Sequence, residues 1–169
     1  MSEIVFRAAT PDDVAALHPL IERAYRGDTA KVGWTHEADL LFDTRTSAEE
    51  LTALIADPDR VILLAHRDDV LIGCVQVARA GDERAYLGML TVEPTLQAFG
   101  LGRRLLAAAE TEAVSRFGAH RMEMTVINRR AELIAWYERR GYAPTGETRP
   151  FPVDPPRPEL DFVVLEKGL

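Results

Sequence analysis

The sequence predicts an α/β fold: one mixed sheet of about seven strands with helices on both faces, in the order β-α-α-β-β-β-α-β-α-β-β. Three observations predict it. Residues 60 to 92 hold three apolar runs joined by very short turns, which forces antiparallel pairing. Residues 84 to 126 then read strand, helix, strand, a step that is normally parallel. Residues 143–151 and 160–167 close the chain as a final pair of strands.

Taken in order, Ile4-Val5-Phe6-Arg7-Ala8 is a short strand. Thr10-Pro11-Asp12-Asp13 starts a helix, with Thr10 as N-cap, Pro11 at the first helical position and acids in the first turn. Leu17, Leu20, Ile21 and Ala24 form its apolar stripe, and His18, on a face with Val14, Ile21 and Tyr25, reads as a packed histidine rather than a ligand. Residues 26 to 46 are the least regular part, with a small helix predicted around Glu37 to Phe42. An irregular segment this long within one domain is more often functional than decorative. Trp34 either anchors it to the core or walls a substrate pocket. Glu37, Asp39, Asp43 and Arg45 either read an acceptor's charges or are solvated surface. Trp34, Glu37 and Arg45 are therefore the substrate-binding candidates.

Ser47-Ala48-Glu49-Glu50 is a capping box opening a helix that ends near Asp57-Pro58. Arg60 to His66, Leu71 to Ala80 and Arg84 to Val92 are the three consecutive strands. Leu106, Ala109, Ala113 and Phe117 mark the core face of a long helix stopped by Gly118. Arg121 to Val126 alternates as a strand, and Arg129 to Arg140 is a helix ended by Gly141. Five prolines between Pro150 and Pro158 make the last connection stiff.

A chain of 169 residues with 47% apolar and 28% charged residues suits one soluble domain spanning residues 1–169. No apolar run approaches the roughly 20 residues a membrane span needs, and Met1-Ser2-Glu3-Ile4 lacks a signal-peptide pattern, so a cytoplasmic location is expected. The single cysteine, Cys74, lies mid-strand and reads as a buried small hydrophobe. A net charge of −7 argues against nucleic acid as partner and is compatible with a cationic acceptor.

The chemistry concentrates in Leu90-Thr91-Val92-Glu93-Pro94-Thr95-Leu96-Gln97-Ala98-Phe99-Gly100-Leu101-Gly102, which runs into Arg103-Arg104. It reads as a strand, a glycine-punctuated loop and a helix start. Gly100 and Gly102 let an anion approach the backbone, the first helical turn offers unpaired N–H groups, and the two arginines add positive charge. No Gly-x-Gly-x-x-Gly is present, because Leu105 stands where the third glycine would be, and there is no Gly-Lys-Ser/Thr. Gln97-x-x-Gly100-x-Gly102 after an apolar strand resembles instead the Gln/Arg-x-x-Gly-x-Gly/Ala signature of the GNAT superfamily of N-acetyltransferases. A second stretch, Tyr137-Glu138-Arg139-Arg140-Gly141-Tyr142, resembles that family's Tyr-x-x-x-Gly-Phe/Tyr motif.

The resemblance covers nearly the whole chain, from Ile4 to Lys167, and implies the GNAT fold with acetyl-CoA as cosubstrate and no metal. It implies that Leu90, Thr91 and Val92 pair with the pantetheine arm, and that Gln97, Ala98, Phe99, Gly100, Leu101, Gly102, Arg103 and Arg104 hold the diphosphate. Tyr137 would be the proton donor beside the CoA sulfur. Tyr86 and Glu123 are candidates for handling the amine's proton, Glu123 facing either the site or solvent. Many members carry an asparagine seven residues before the tyrosine. Here that place belongs to Arg130 and the nearest asparagine is Asn128, so both are candidates for the CoA site. The expected reaction is direct acetyl transfer to a small amine (amino acid, polyamine or similar). A protein or peptide acetyltransferase, or a non-catalytic acyl-CoA sensor, is the alternative, and a homodimer is common in the family.

Overall fold

The computed structural model describes residues 3–25, 46–96, 100–151 and 157–169. Within them the elements are β1 (Ile4–Ala8), α1 (Val14–Tyr25), α2 (Ala48–Ala56), β2 (Arg60–Arg67), β3 (Val70–Arg79), β4 (Arg84–Val92), α3 (Leu101–Phe117), β5 (Arg121–Ile127), α4 (Ala131–Glu138), β6 (Ala143–Pro150) and β7 (Asp161–Gly168). This is the predicted order. The helix expected at Glu37 to Phe42 lies outside the described residues.

The strands form one seven-stranded sheet ordered β1-β2-β3-β4-β5-β7-β6. β1 through β4 are antiparallel neighbours, β4 and β5 are parallel, and β7 lies antiparallel between β5 and β6. The tight turns dictate the antiparallel pairing of β2, β3 and β4, and α3 carries the chain across for the parallel step.

Each face of the sheet is covered. Leu105, Ala109 and Ala113 of α3 pack on Val75, Leu87 and Met122. On the opposite face Leu17 and Ile21 of α1 and Leu51 of α2 pack on Ile62, Leu64 and Cys74. Each fully buried leucine or isoleucine contributes about 1.5–3 kcal/mol. Gly73 permits the closest approach: a Cβ there would stand 2.8 Å from both Leu105 Cδ1 and the Thr91 carbonyl oxygen.

Two helix starts differ from the sequence expectation. Pro11–Asp13 form a 3-10 turn before α1 begins, and the Asp13 carboxylate accepts the Thr10 N–H at 2.7 Å and both guanidinium nitrogens of Arg7 at 2.7 and 2.8 Å. The arginine beside it holds that carboxyl well below its usual range. α4 begins only at Ala131, because Arg130, with φ −99° and ψ 63°, is outside helical geometry.

Candidate active site

The parallel ladder between β4 and β5 has only three residue pairs, Arg84↔Arg121, Ala85↔Met122 and Tyr86↔Glu123. Beyond Tyr86 the two strands part. β5 stays zipped to β7 over its whole length, from Arg121↔Gly168 to Ile127↔Phe162. β4 is held from its other side by β3, through Cys74↔Thr91 and Gly73↔Val92. A bulge lies in that ladder, and within it Met89 adopts φ 50°, a left-handed conformation uncommon for a side chain of this kind. The sheet is thus fixed at both flanks while its middle opens into a slot, with the β4 backbone from Leu87 to Leu90 along one wall. Such an edge presents main-chain groups to an extended ligand. The bulge is braced by the Thr91 hydroxyl, which donates to the Met89 carbonyl at 2.9 Å, and by the Tyr25 hydroxyl, which donates to the Leu90 carbonyl.

Beside the slot's end lies the start of α3. Gly100 is its N-cap, with φ 82°, and among the described residues no side chain caps the helix. The N–H groups of Leu101, Gly102 and Arg103 therefore face outward without an intrahelical partner, where the helix dipole favours an anion. Leu101 anchors the turn in the core at 4% exposure, while Gly102 lies beside Trp136, where a Cβ would meet the ring at an ordinary contact distance of 3.5 Å. Cations gather here. Arg103 Nη2 lies 3.8 Å from where a Gly100 Cβ would be, Arg140 stacks on the Trp136 ring at 3.9 Å, and Arg104 lies over Phe6 at 5.5 Å. Burial, then the neighbouring charges of Arg139 and Arg103, pull the Arg140 proton affinity down. An anion would relieve that repulsion.

Tyr137 of α4 is buried at 5% exposure, its ring edge-on to Trp136 at 5.0 Å and to Tyr142 at 5.8 Å. Burial pushes its pKa far above that of an ordinary phenol. The phenols of Tyr25 and Tyr86 push the same way, and Arg130 opposes them. Tyr25 bonds Leu90 in the bulge and Tyr86 is the last residue of the parallel ladder, so these two phenols flank the opening. Burial keeps Tyr137 protonated throughout the physiological range, and the charge of Arg130 acts in favour of the phenolate.

The acetyltransferase (GNAT) family model matches residues 16–142. The chain belongs to the GNAT family. Within it, the chain is 31% identical over 147 residues to an IAA acetyltransferase of Azospirillum brasilense, covering 85% of this chain and 86% of that one. Among solved structures it resembles the PaiA N-acetyltransferase of Thermoplasma acidophilum in complex with coenzyme A, with a TM-score of 0.76, 17% identity and 99% of each chain covered. It also resembles the ribosomal-protein-S18-alanine N-acetyltransferase of Escherichia coli, with a TM-score of 0.75, 18% identity, and 98% and 94% covered. This GNAT protein is accordingly an acetyltransferase.

The remaining candidates of this GNAT chain are placed as follows. Gln97, Ala98 and Phe99, and likewise Trp34, Glu37 and Arg45, lie outside the described residues. Tyr86 shares a 2.6 Å hydrogen bond with the Thr125 hydroxyl across the mouth of the slot. Glu123 is buried at 9% exposure and its carboxylate is engaged: Arg149 of β6 donates to it at 2.9 and 3.4 Å, and Arg84 lies 3.8 Å away. Asn128 is put to structural use. Its amide nitrogen donates to the Glu159 carbonyl and its oxygen accepts the Asp161 N–H, both at 3.2 Å, so the side chain pins the start of β7. Arg130, by contrast, is buried at 5% exposure at the N-cap of α4. Sequence reasoning missed Arg139 and Arg140 as part of the cation cluster. Their spacing one turn beyond Trp136 was the available signal.

No helix among the described residues is long and apolar enough to cross a membrane.

Proposed function

We propose that this acetyltransferase uses acetyl-CoA to acetylate the amine of a small molecule, such as an amino acid or polyamine. The observation that carries the reading is the early end of the β4–β5 ladder at Tyr86↔Glu123, with the glycine-capped, arginine-flanked start of α3 beside the opening and Tyr86 and Tyr25 flanking it. The residues fit the cosubstrate: a strand edge suits an amide-bearing arm, and the helix start with Arg103 and Arg140 suits a diphosphate.

Bound acetyl-CoA supplies an acetyl group activated as a thioester. The chain does the rest. Main-chain groups of β4 from Leu87 to Leu90 align the arm, and a backbone N–H near Leu90 donates to the acetyl oxygen, a contact that strengthens as charge develops there. An alkyl amine has a pKa of about 10.4 and sheds a proton before it attacks. Tyr86, held by Thr125, orients the water that accepts it. Tyr137 then donates its own proton to the departing sulfur. The acidic chain, at −7, favours a cationic acceptor approaching from solvent.

The test is thiol release from acetyl-CoA against a panel of amines, amino acids and peptides. A small amine is expected to give the highest kcat/KM. A peptide with an N-terminal alanine outperforming every small amine would overturn the small-molecule reading and favour a protein acceptor.

A further inference from the structure

We infer that Gln76 is an acceptor-positioning residue whose side-chain amide holds a neutral primary amine in a notch over Gly88. The inference rests on the acetyl-transfer reading above and deepens it.

Gln76 is the polar exception in the apolar run from Ile72 to Ala78, and it is 6% exposed. Among the described residues its Oε1 atom is buried with no hydrogen-bond partner. A buried amide oxygen left unsatisfied costs free energy that a methionine of similar size would avoid. The surroundings show what would satisfy it. Gln76 pairs directly with Gly88 across the β3–β4 ladder, so both face the same side of the sheet as Tyr86. A Cβ on Gly88 would stand 3.7 Å from Gln76 Nε2 and 3.5 Å from Tyr86 Cε1. Glycine leaves a space of about one methyl group there, with the Nε2 end of the amide as one wall and the phenol ring as the other. The notch adjoins the slot, because Gly88 lies two residues past the last parallel pair, and the Tyr86–Thr125 hydrogen bond closes its far side.

A neutral primary amine has two N–H groups and one lone pair. Rotation about the soft χ3 torsion turns Oε1 into the notch, where it accepts one N–H. The Tyr86–Thr125 hydroxyl pair accepts the other, and the lone pair stays free for attack. Gln76 contributes position only and takes no proton.

Steady-state kinetics with saturating acetyl-CoA, using spermidine and ethanolamine as probes, test this on Gln76→Met and Gln76→Glu, with CoA titration and thermal melts alongside. Gln76→Met is expected to raise the amine KM about tenfold with a smaller change in kcat, unchanged CoA affinity and an undiminished melting temperature. Gln76→Glu is expected to move the activity optimum to higher pH, since a carboxylate holds the amine in its protonated form. An unchanged KM in Gln76→Met overturns the inference, as does a raised KM accompanied by weaker CoA binding or a lower melting temperature. Wild-type protein that binds CoA yet acetylates no amine overturns the acetyl-transfer reading together with this inference. Active wild type matched by Gln76→Met overturns this inference alone.

Discussion

Replacing Tyr137 by phenylalanine removes one oxygen and little else. The ring keeps its edge contacts with Trp136 at 5.0 Å and Tyr142 at 5.8 Å, and its 5% exposure means that no new surface is wetted. The aromatic packing is kept and a single hydroxyl is lost, so the fold should lose no more than about 1 kcal/mol. The loss falls on turnover. Burial keeps the phenol protonated, so wild type has a proton beside the departing sulfur at any working pH. Without it the barrier rises by about 2.7 kcal/mol, on the order of 100-fold in kcat, while the calorimetric affinity for CoA stays unchanged. Thiol release under saturating substrates measures the first quantity and titration the second. Turnover equal to wild type would remove Tyr137 from the mechanism, and a parallel fall in CoA affinity would assign it to binding instead.

Other expectations follow from the same geometry. Gly73→Ala should lower stability by about 1–3 kcal/mol, read as a lower urea midpoint at constant slope, because its methyl would meet the Thr91 carbonyl at 2.8 Å and that atom is backbone. Gly100→Val should cost about 1–2 kcal/mol through its φ of 82° and weaken CoA binding about tenfold, measured by calorimetry. Tyr137 and Tyr142 both have raised pKa values, chiefly from burial. Their contribution to stability is therefore complete below the unfolded phenol value of about 10 and is lost as pH rises above it, by about 1.4 kcal/mol per pH unit for each group. Denaturant melts between pH 9 and 11 should show that decline, and the Tyr137→Phe variant should show a shallower one.

Much of the fold was legible because its signals are local. Turns at Arg67-Asp68-Asp69 and Gly81-Asp82-Glu83 leave antiparallel pairing as the one short connection, and the α3 crossover leaves a parallel one. The site was legible only where a backbone requirement selects a residue type, as at Gly100. What stayed hidden depends on distant partners. The length of the β4–β5 ladder is decided by β7 and β3 pulling on opposite flanks, and Met89 enters its positive φ without a glycine to announce it. Glu123 sits in an alternating strand, and only the placement of β6 brings Arg149 to its carboxylate. Asn128 reads from the sequence as a CoA-site candidate, and its hold on the start of β7 shows only once the strands are placed. Gln76 is masked by its apolar neighbours. Arg140 is masked by looking like one more charge at a helix end.

Hydrogen exchange of the backbone amides with and without CoA probes the slot and the helix start together. Amides from Leu87 to Leu90 and from Leu101 to Arg103 are expected to slow on CoA addition, while those of β1 and β2 remain as they were. Protection confined to other parts of the sheet, or none at saturating CoA, would contradict the opening between β4 and β5 as the place where the cosubstrate binds.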